Sequence, residues 1–153
     1  MSEMSKNTLP KQAKPASVND CDFIEVPEFV DIRGNLLFAQ NDGRLPFNFQ
    51  RIYAIYQVPD GATRAAHAHR NLHQLFFAFS GSFVLGLYDG KDRREVVLEE
   101  PARPFFVKPG IWRDITRFDE NTVCVVLADL LYDEDDYIRD IELFRKFRNE
   151  NGI

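Results

Sequence analysis

Residues 61–81 read Gly61-Ala-Thr-Arg-Ala-Ala-His67-Ala-His69-Arg-Asn-Leu-His73-Gln74-Leu-Phe-Phe-Ala-Phe-Ser-Gly81, and all three histidines of the chain lie among them. His67 and His69 are two residues apart, so on an extended strand both side chains leave from the same face. The apolar run that follows, residues 75–79, predicts a buried strand ending at Ser80-Gly81. The stretch therefore predicts a β-structure with two imidazoles on one face, which indicates a functional site.

Short strands are predicted on both sides of this stretch. They are residues 23–26, 29–32, 35–40 and 51–58 before it, and residues 83–88, 95–98, 104–107 and 122–127 after it. Turn residues separate them, as at Pro59-Asp60-Gly61. Many short strands at even spacing predict an all-β sandwich or barrel. The sequence contains neither a βαβ pattern nor an internal repeat.

The two ends of the chain differ from this β pattern. Residues 1–20 are rich in Ser, Lys, Pro and Asn and nearly lack large apolar side chains, which predicts a disordered leader before a single domain of residues 21–153. An ordered arm that contacts a partner subunit is the alternative. Over residues 133–147 apolar positions recur at helical spacing, and acidic residues precede basic ones as the helix dipole favours. A short C-terminal helix docked on the barrel is therefore expected.

Composition and charge narrow the classes of function. A chain of 153 residues suits one domain with a proper core, and its 14 phenylalanines predict an aromatic interior. The formal net charge of −5 argues against general nucleic-acid binding, which needs a basic surface. Cys21 and Cys124 lie too far apart in sequence to indicate a disulfide framework or a zinc knuckle. No apolar run reaches membrane-spanning length and no hydrophobic N-terminal segment is present, so a cytoplasmic protein is expected.

The spacing within the histidine stretch resembles the first motif of the cupin superfamily, whose fold is a small jelly-roll β-barrel. Metal-binding cupins carry Glu at the position of Gln74, and their second motif supplies a third histidine where this chain has Arg113. Gln is a weak neutral ligand, and Arg has no lone pair and repels a cation, so neither a metal nor another cofactor is expected. Without a metal, paired imidazoles with an ordinary pKa of about 6.5 become proton-transfer groups. Interior histidines that only satisfy hydrogen bonds are the alternative.

Several short motifs carry a narrower resemblance. In order they are Asp31-Ile-Arg33-Gly34-Asn-Leu, Leu45-Pro46-Phe47, Arg51-Ile-Tyr53, His67-Ala-His69-Arg70, Gly81-Ser82 and Tyr132-Asp-Glu-Asp-Asp-Tyr137-Ile-Arg139. Together they resemble the sugar-nucleotide 3,4-ketoisomerases. These cupin enzymes convert dTDP-4-keto-6-deoxy-D-glucose into a 3-keto isomer, which feeds 3-amino-3,6-dideoxy sugars of surface polysaccharides or antibiotics. One departure is that many members carry His-Glu where this chain has Arg113-Asp114, after Trp112.

The resemblance implies an isomerase that moves a ketone from C4 to C3 of the sugar through an enediol(ate). The proton at C3 must be removed and a proton delivered to C4, which positioned acid/base groups achieve without a redox cofactor. His69 is expected to be the principal acid/base group and His67 its partner. Tyr53, on a neighbouring strand, is expected to hydrogen-bond the enediolate oxygen; a core aromatic is the alternative.

Five further residues are expected to bind the substrate. Arg33 and Arg64 are candidates for gripping the diphosphate, because guanidinium pairs with phosphate in a bidentate manner. Gln74 is expected to bond a sugar hydroxyl, and Trp112 to line the pocket or stack on the thymine. Asn35 is a candidate for setting the face of C4 protonation. The family's subunits form dimers that exchange N-terminal strands, so the resemblance also implies a strand-swapped homodimer.

Three alternatives remain open on the sequence. A dTDP-sugar epimerase of related barrel shape would invert C3 and C5 with a His–Asp dyad and leave the ketone at C4. A metal-dependent cupin oxygenase is disfavoured by Gln74 and Arg113, and a non-catalytic sugar-binding cupin would need no paired acid/base groups. The nucleotide, the configuration of the product at C4 and the end sugar of the pathway are not specified.

Overall fold

The computed structural model describes residues 15–152 and contains two facing β-sheets and one helix. The strands are β1 (Asp22–Phe23), β2 (Glu28–Asp31), β3 (Gly34–Leu37), β4 (Arg51–Tyr56), β5 (Arg64–His69), β6 (Gln74–Ser80), β7 (Phe83–Tyr88), β8 (Arg93–Leu98), β9 (Phe105–Val107), β10 (Trp112–Thr116), β11 (Val123–Ala128) and β12 (Tyr137–Ile138). The helix α1 spans Ile141–Asn151, and short 3-10 turns cover Val18–Asp20 and Glu134–Asp136. Within residues 15–152, no helix has the length and apolar character needed to cross a membrane.

The strands form two five-stranded antiparallel sheets and a separate hairpin. The first sheet has the order β1-β9-β6-β11-β4, the second has the order β12-β5-β10-β7-β8, and β2 pairs with β3. Phe76 and Ala78 of β6 share one buried cluster with Leu85 and Leu87 of β7. The two sheets therefore face each other across a common core, which confirms the predicted jelly-roll barrel.

The outer faces of both sheets are also partly covered. Leu75 and Phe77, on the outer face of β6, pack under the segment that precedes β4. On the second sheet, Phe144 of α1 is fully buried against Ala68 and Ile138, and burial of such a side chain stabilises the fold by about 1.5–3 kcal/mol. Because β6 is buried on both faces, its sequence is an uninterrupted apolar run rather than an alternating one.

Residues 18–20, which belong to the predicted leader, pack against the barrel. Of the predicted leader, residues 1–20, the first fourteen lie outside the described residues. Val18 is buried in the core between the sheets, and the guanidinium of Arg94 donates hydrogen bonds to the carbonyls of Val18 and Cys21. The end of the predicted leader is therefore held by the barrel through the buried side chain of Val18 and through its backbone carbonyl.

The C-terminal helix is present but starts later than its sequence pattern suggests. Helical spacing covers residues 133–147, whereas α1 begins at Ile141, where the side chain of Asp140 caps the helix by accepting from a backbone N–H. The preceding residues form a 3-10 turn and β12, which pairs with β5. Pairing with an open sheet edge overrides the helical pattern there. The acidic residues of this segment are thereby placed beside the histidine strand.

Candidate active site

A cavity of about 510 Å³ lies between the two sheets, with side chains of β4, β5, β6, β10 and β12 in its wall. Four of the residues predicted from sequence line it, namely Tyr53, Arg64, His67 and Gln74. Four cavity residues that were not assigned a role from sequence are Arg51, Arg113, Tyr137 and Arg139. The cavity is therefore built mainly from the inward faces of five strands that are distant in sequence.

A β-bulge shapes the wall of the cavity at the start of β5. The pairing register between β5 and β10 shifts at this point, and Ala65 and Ala66 both have left-handed backbone angles, with φ values of 65° and 59°. Bulges near active sites change the direction of neighbouring side chains. Here Arg64, Ala65 and His67 all line the cavity, which regular alternation along a strand would not allow.

The two predicted histidines form a hydrogen-bonded chain with a carboxylate that sequence reasoning missed. The Nε2 atoms of His67 and His69 are 3.1 Å apart, and Nδ1 of His69 is 3.0 Å from Oδ2 of Asp136. Oδ1 of Asp136 accepts the backbone N–H of Asn71 at 2.7 Å. His67 lines the cavity, whereas His69 is fully buried behind it. The sequence analysis expects His69 to be the principal acid/base group, whereas in the structure His67 is the histidine that faces the cavity.

The carboxylate determines where the protons of this chain lie. Asp136 accepts hydrogen bonds only, so Nδ1 of His69 carries the hydrogen that it donates, and Nε2 of His69 is left with a lone pair. Nε2 of His67 is then the donor in the 3.1 Å contact. One transferable proton therefore sits between the two Nε2 atoms at the cavity wall.

Burial keeps this histidine pair neutral. Burial is the largest cause that lowers the pKa of both His67 and His69, and the nearby Arg113 cation lowers both further. The hydrogen bond to Asp136 raises the pKa of His69 but does not reverse the shift. Both imidazoles are accordingly unprotonated bases at neutral pH.

The pH dependence of activity is expected to reflect these lowered pKa values. A group whose pKa is depressed stays neutral as the pH falls, so kcat/KM is expected to remain constant from about pH 8 down through the ordinary histidine pKa of about 6.5. The measurement is a pH–rate profile, with circular dichroism at each pH to verify folding. A loss of rate centred near pH 6.5 would contradict the neutral buried pair.

A second hydrogen-bonded chain runs beneath the cavity from Arg113 to Tyr53. Arg113 and Gln74 are fully buried. Nη1 of Arg113 donates to Oε1 of Gln74 at 2.6 Å, and Nε2 of Gln74 donates to the hydroxyl of Tyr53 at 2.8 Å. Burial raises the pKa of Tyr53 to about 12, so its hydroxyl stays protonated. The Gln74 amide thus makes one hydrogen bond at each end within the protein, and its bond to a sugar hydroxyl stays a prediction.

Arginines give the cavity a positive character. Arg51, Arg64, Arg113 and Arg139 line it, and Nε of Arg51 is a buried atom without a hydrogen-bond partner among the described residues. Arg139 is paired with Glu134 at 2.6 Å, which leaves the other three without a carboxylate partner in that same part of the chain. These charges favour an anionic ligand. Between residues 15 and 152, no group of three or more His, Cys, Asp or Glu side chains is arranged to hold a metal ion.

Three residues predicted to bind substrate lie outside the cavity of this chain. Trp112 packs on Phe144 of α1, with ring centroids 5.7 Å apart, because alternation along β10 turns it outward when Arg113 points inward. Arg33 and Asn35 belong to the exposed β2–β3 hairpin, where Arg33 is 87% exposed and paired with Asp31. A single chain therefore does not bring these residues to the histidines.

Comparisons with known proteins identify relatives along most of the chain. The family model "FdtA: WxcM-like, C-terminal" matches residues 19–149. TDP-4-oxo-6-deoxy-alpha-D-glucose-3,4-oxoisomerase from Aneurinibacillus thermoaerophilus is 34% identical over 124 residues, which are 81% of this chain and 89% of that protein. The crystal structure of a 3,4-ketoisomerase from Helicobacter canadensis matches with a TM-score of 0.81 and 32% identity, covering 85% of this chain and 98% of its own. The sugar 3,4-ketoisomerase QdtA from Thermoanaerobacterium thermosaccharolyticum, in complex with TDP, matches with a TM-score of 0.86 and 28% identity, covering 90% of this chain and 100% of its own.

Proposed function

This chain belongs to the FdtA family (WxcM-like, C-terminal), and we propose that it catalyses the 3,4-ketoisomerisation of TDP-4-keto-6-deoxy-D-glucose. The relative from Aneurinibacillus thermoaerophilus is named for this reaction and aligns with most of the chain, which supports the choice of substrate. The observation that carries the chemistry is the contact between Nε2 of His67 and Nε2 of His69, backed by Asp136. A neutral proton-transfer pair beside an electropositive cavity matches a reaction that moves protons on an anionic sugar nucleotide.

The histidine pair moves the carbon-bound proton in this proposal. The reaction needs no net oxidant, because the proton leaves C3 and returns to C4 while the hydroxyl proton passes from O3 to O4. The C3 proton is taken up at Nδ1 of His67, the one ring nitrogen of the pair that has no hydrogen-bond partner among the described residues. His67 becomes an imidazolium whose Nε2–H stays bonded to Nε2 of His69, and the carboxylate of Asp136 stabilises the positive charge through His69. Return of the proton to C4 restores the neutral pair. His67, as the member that lines the cavity, is the histidine that contacts the substrate.

Tyr53 and the buried arginine stabilise the intermediate in this proposal. An enediolate carries negative charge on oxygen, and hydrogen-bond donors held in place before the reaction stabilise such charge at little reorganisation cost. Tyr53 lines the cavity, and its hydroxyl stays protonated. The guanidinium of Arg113 adds positive charge and is fully buried, and charges interact more strongly in such surroundings than in bulk water.

The reaction is tested by incubating the protein with TDP-4-keto-6-deoxyglucose in D2O and following it by 13C and 1H NMR. The proposal expects the carbonyl signal to move from C4 to C3, with deuterium entering at C4 or C3. Retention of the ketone at C4 with exchange at C5 would identify a 3,5-epimerase instead. Binding of the substrate with no change in either signal would identify a non-catalytic binding protein.

Two arginines are proposed to hold the diphosphate. Arg51 and Arg64 line the cavity, and among the described residues neither has a carboxylate partner. Replacing Arg64 by alanine is expected to weaken TDP binding about 10- to 100-fold, because a hydrogen bond to a charged group contributes about 1.5–3 kcal/mol. Isothermal titration with TDP measures this change, and KM is expected to rise more than kcat falls. Arg93→Ala, an exposed arginine on β8, is the control; equal losses in both variants would refute the assignment.

The protein is also proposed to act as a homodimer that exchanges the β2–β3 hairpin. This hairpin pairs with no third strand among those described, and β4 is an open edge of the first sheet. Open apolar edges are covered in stable proteins. The exposed apolar side chains on these elements are Phe29, Val30, Ile32 and Leu36 on the hairpin and Ile52 and Tyr56 on β4.

We place the hairpin of one subunit along β4 of its partner. Because residues of β4 line the cavity, this arrangement would carry Arg33 and Asn35 towards the partner's site. Phe29→Asp is expected to convert the dimer to monomers in sedimentation equilibrium, since burying an unpaired carboxylate is costly. Val97→Asp, an exposed valine on β8, is the control and is expected to remain dimeric. A monomeric wild-type protein would contradict the exchange.

The cytoplasm is the proposed location of the enzyme. Both cysteines, Cys21 and Cys124, are buried free thiols, as in proteins of reducing compartments.

The 3-keto product has the chemistry that a 3-aminotransferase consumes, so a role in making 3-amino-3,6-dideoxy sugars follows from the same proposal.

A further inference from the structure

The amide of Gln74 has one orientation that its surroundings allow. A guanidinium has only N–H donors, so the atom of Gln74 that faces Nη1 of Arg113 at 2.6 Å must be the carbonyl oxygen Oε1. The amide nitrogen Nε2 therefore faces the hydroxyl of Tyr53 at 2.8 Å and donates to it. A flipped amide would set N–H against N–H.

The backbone holds Arg113 in place at the start of this chain of bonds. Nε and Nη2 of Arg113 donate to the carbonyl of Ile111 at 3.2 and 2.8 Å, and Nη2 also reaches the carbonyl of Lys108 at 3.5 Å. The guanidinium is fully buried and bonded through each of its nitrogens, so it does not turn away from Gln74. The orientation of the amide is thus determined by the fold and not by a ligand.

We propose that Gln74 is a positioning residue that sets the direction of the Tyr53 hydroxyl, an inference that rests on the proposed isomerase function. Because Tyr53 accepts the hydrogen bond from Gln74, its own O–H hydrogen is free to point into the cavity that Tyr53 lines. Tyr53 is then a donor to the developing enediolate oxygen. This gives a physical reason for Gln rather than Glu at position 74, apart from the loss of a metal ligand. A carboxylate there would accept the hydroxyl hydrogen of Tyr53 and so keep it from the substrate.

Gln74→Glu tests the direction of this bond with almost no change of shape. The carboxylate is expected to accept from both Arg113 and Tyr53, which turns the hydroxyl hydrogen away from the substrate. Loss of one such donor lowers kcat by about 10²- to 10³-fold, whereas the dissociation constant for TDP is expected to change little. EDTA is kept in every assay because Glu at this position restores the carboxylate ligand of the first cupin motif. Gln57→Glu, the same charge change at an exposed position, is the control.

Two comparisons separate this role from a structural one. Tyr53→Phe removes the same donor, so the double variant with Gln74→Glu is expected to lose no more activity than either single variant. Gln74→Met leaves the Tyr53 hydroxyl free but leaves Arg113 without its amide partner. It is therefore expected to be less stable than Gln74→Glu yet to retain a higher kcat.

Three outcomes would overturn the inference. They are a Gln74→Glu enzyme with the wild-type kcat, losses that multiply in the double variant, or a Gln74→Met enzyme that is both less stable and less active than Gln74→Glu. Each is measured against an active wild-type protein. An inactive wild type would instead refute the proposed function itself, so the two failures are distinguishable.

Discussion

Replacing His67 by asparagine is expected to lower kcat by about 10²- to 10⁴-fold, the range that a positioned acid/base group contributes. His67 is the member of the histidine pair that lines the cavity, and its Nε2 shares the transferable proton with His69. Asparagine has a similar size and a hydrogen-bonding amide, but it does not take up a proton. The loss is therefore expected in kcat, measured by the NMR assay, while the dissociation constant for TDP stays close to the wild-type value.

His73 provides the matched control for this substitution. It also lies in the histidine stretch and is also paired with a carboxylate, with its Nδ1 2.8 Å from Oδ2 of Asp129. It does not line the cavity but packs its ring against Phe106 and Phe47. His73→Asn is expected to keep kcat within a small factor of the wild type. A large loss in both variants, or in neither, would contradict the assignment of His67.

Asp136→Asn is expected to reduce kcat on a similar scale, about 10²- to 10⁴-fold. The amide still accepts the backbone N–H of Asn71 through its oxygen, so the fold of the segment is preserved. Its nitrogen, however, donates to Nδ1 of His69, which reverses the tautomer of that imidazole. The negative charge that stabilises the protonated histidine pair is lost as well. Kinetics at saturating substrate measure the effect, and thermal unfolding verifies the fold.

The chain contains a near copy of this arrangement outside the cavity. Asp129 accepts the backbone N–H of His73 through Oδ1 and faces Nδ1 of His73 through Oδ2, just as Asp136 does with Asn71 and His69. Asp129→Asn therefore costs the protein the same kind of bonds without touching the reaction. We expect it to lower stability about as much as Asp136→Asn and to leave kcat nearly unchanged. Equal losses of activity would show that Asp136 acts only through the fold.

Sequence patterns predicted most strands because their side chains alternate or are uniformly apolar. β10 escaped prediction, since one of its two inward-facing positions is occupied by Arg113. A buried guanidinium breaks the hydrophobic pattern that indicates a strand. The free-energy cost of burying it is offset by hydrogen bonds to the carbonyl of Ile111 and the amide oxygen of Gln74. No sequence pattern reveals these acceptors. β12 escaped because it is two residues long and lies in a segment with helical spacing. In both cases the partner strand decides the conformation.

The amino-acid sequence by itself determined the all-β class and the presence of a histidine pair on one strand face, because these depend on periodicity, turn residues and local spacing. The jelly-roll barrel and the family followed from the resemblance of its motifs. The tertiary structure alone decided which histidine faces the cavity, that Asp136 stands behind the pair, and that Trp112 is turned away while Arg113 is turned in. These features depend on the register between strands that are far apart in the chain, and on a bulge that changes the direction of side chains. A shift of one residue in the register of a strand would turn the side chains of that strand to the opposite face.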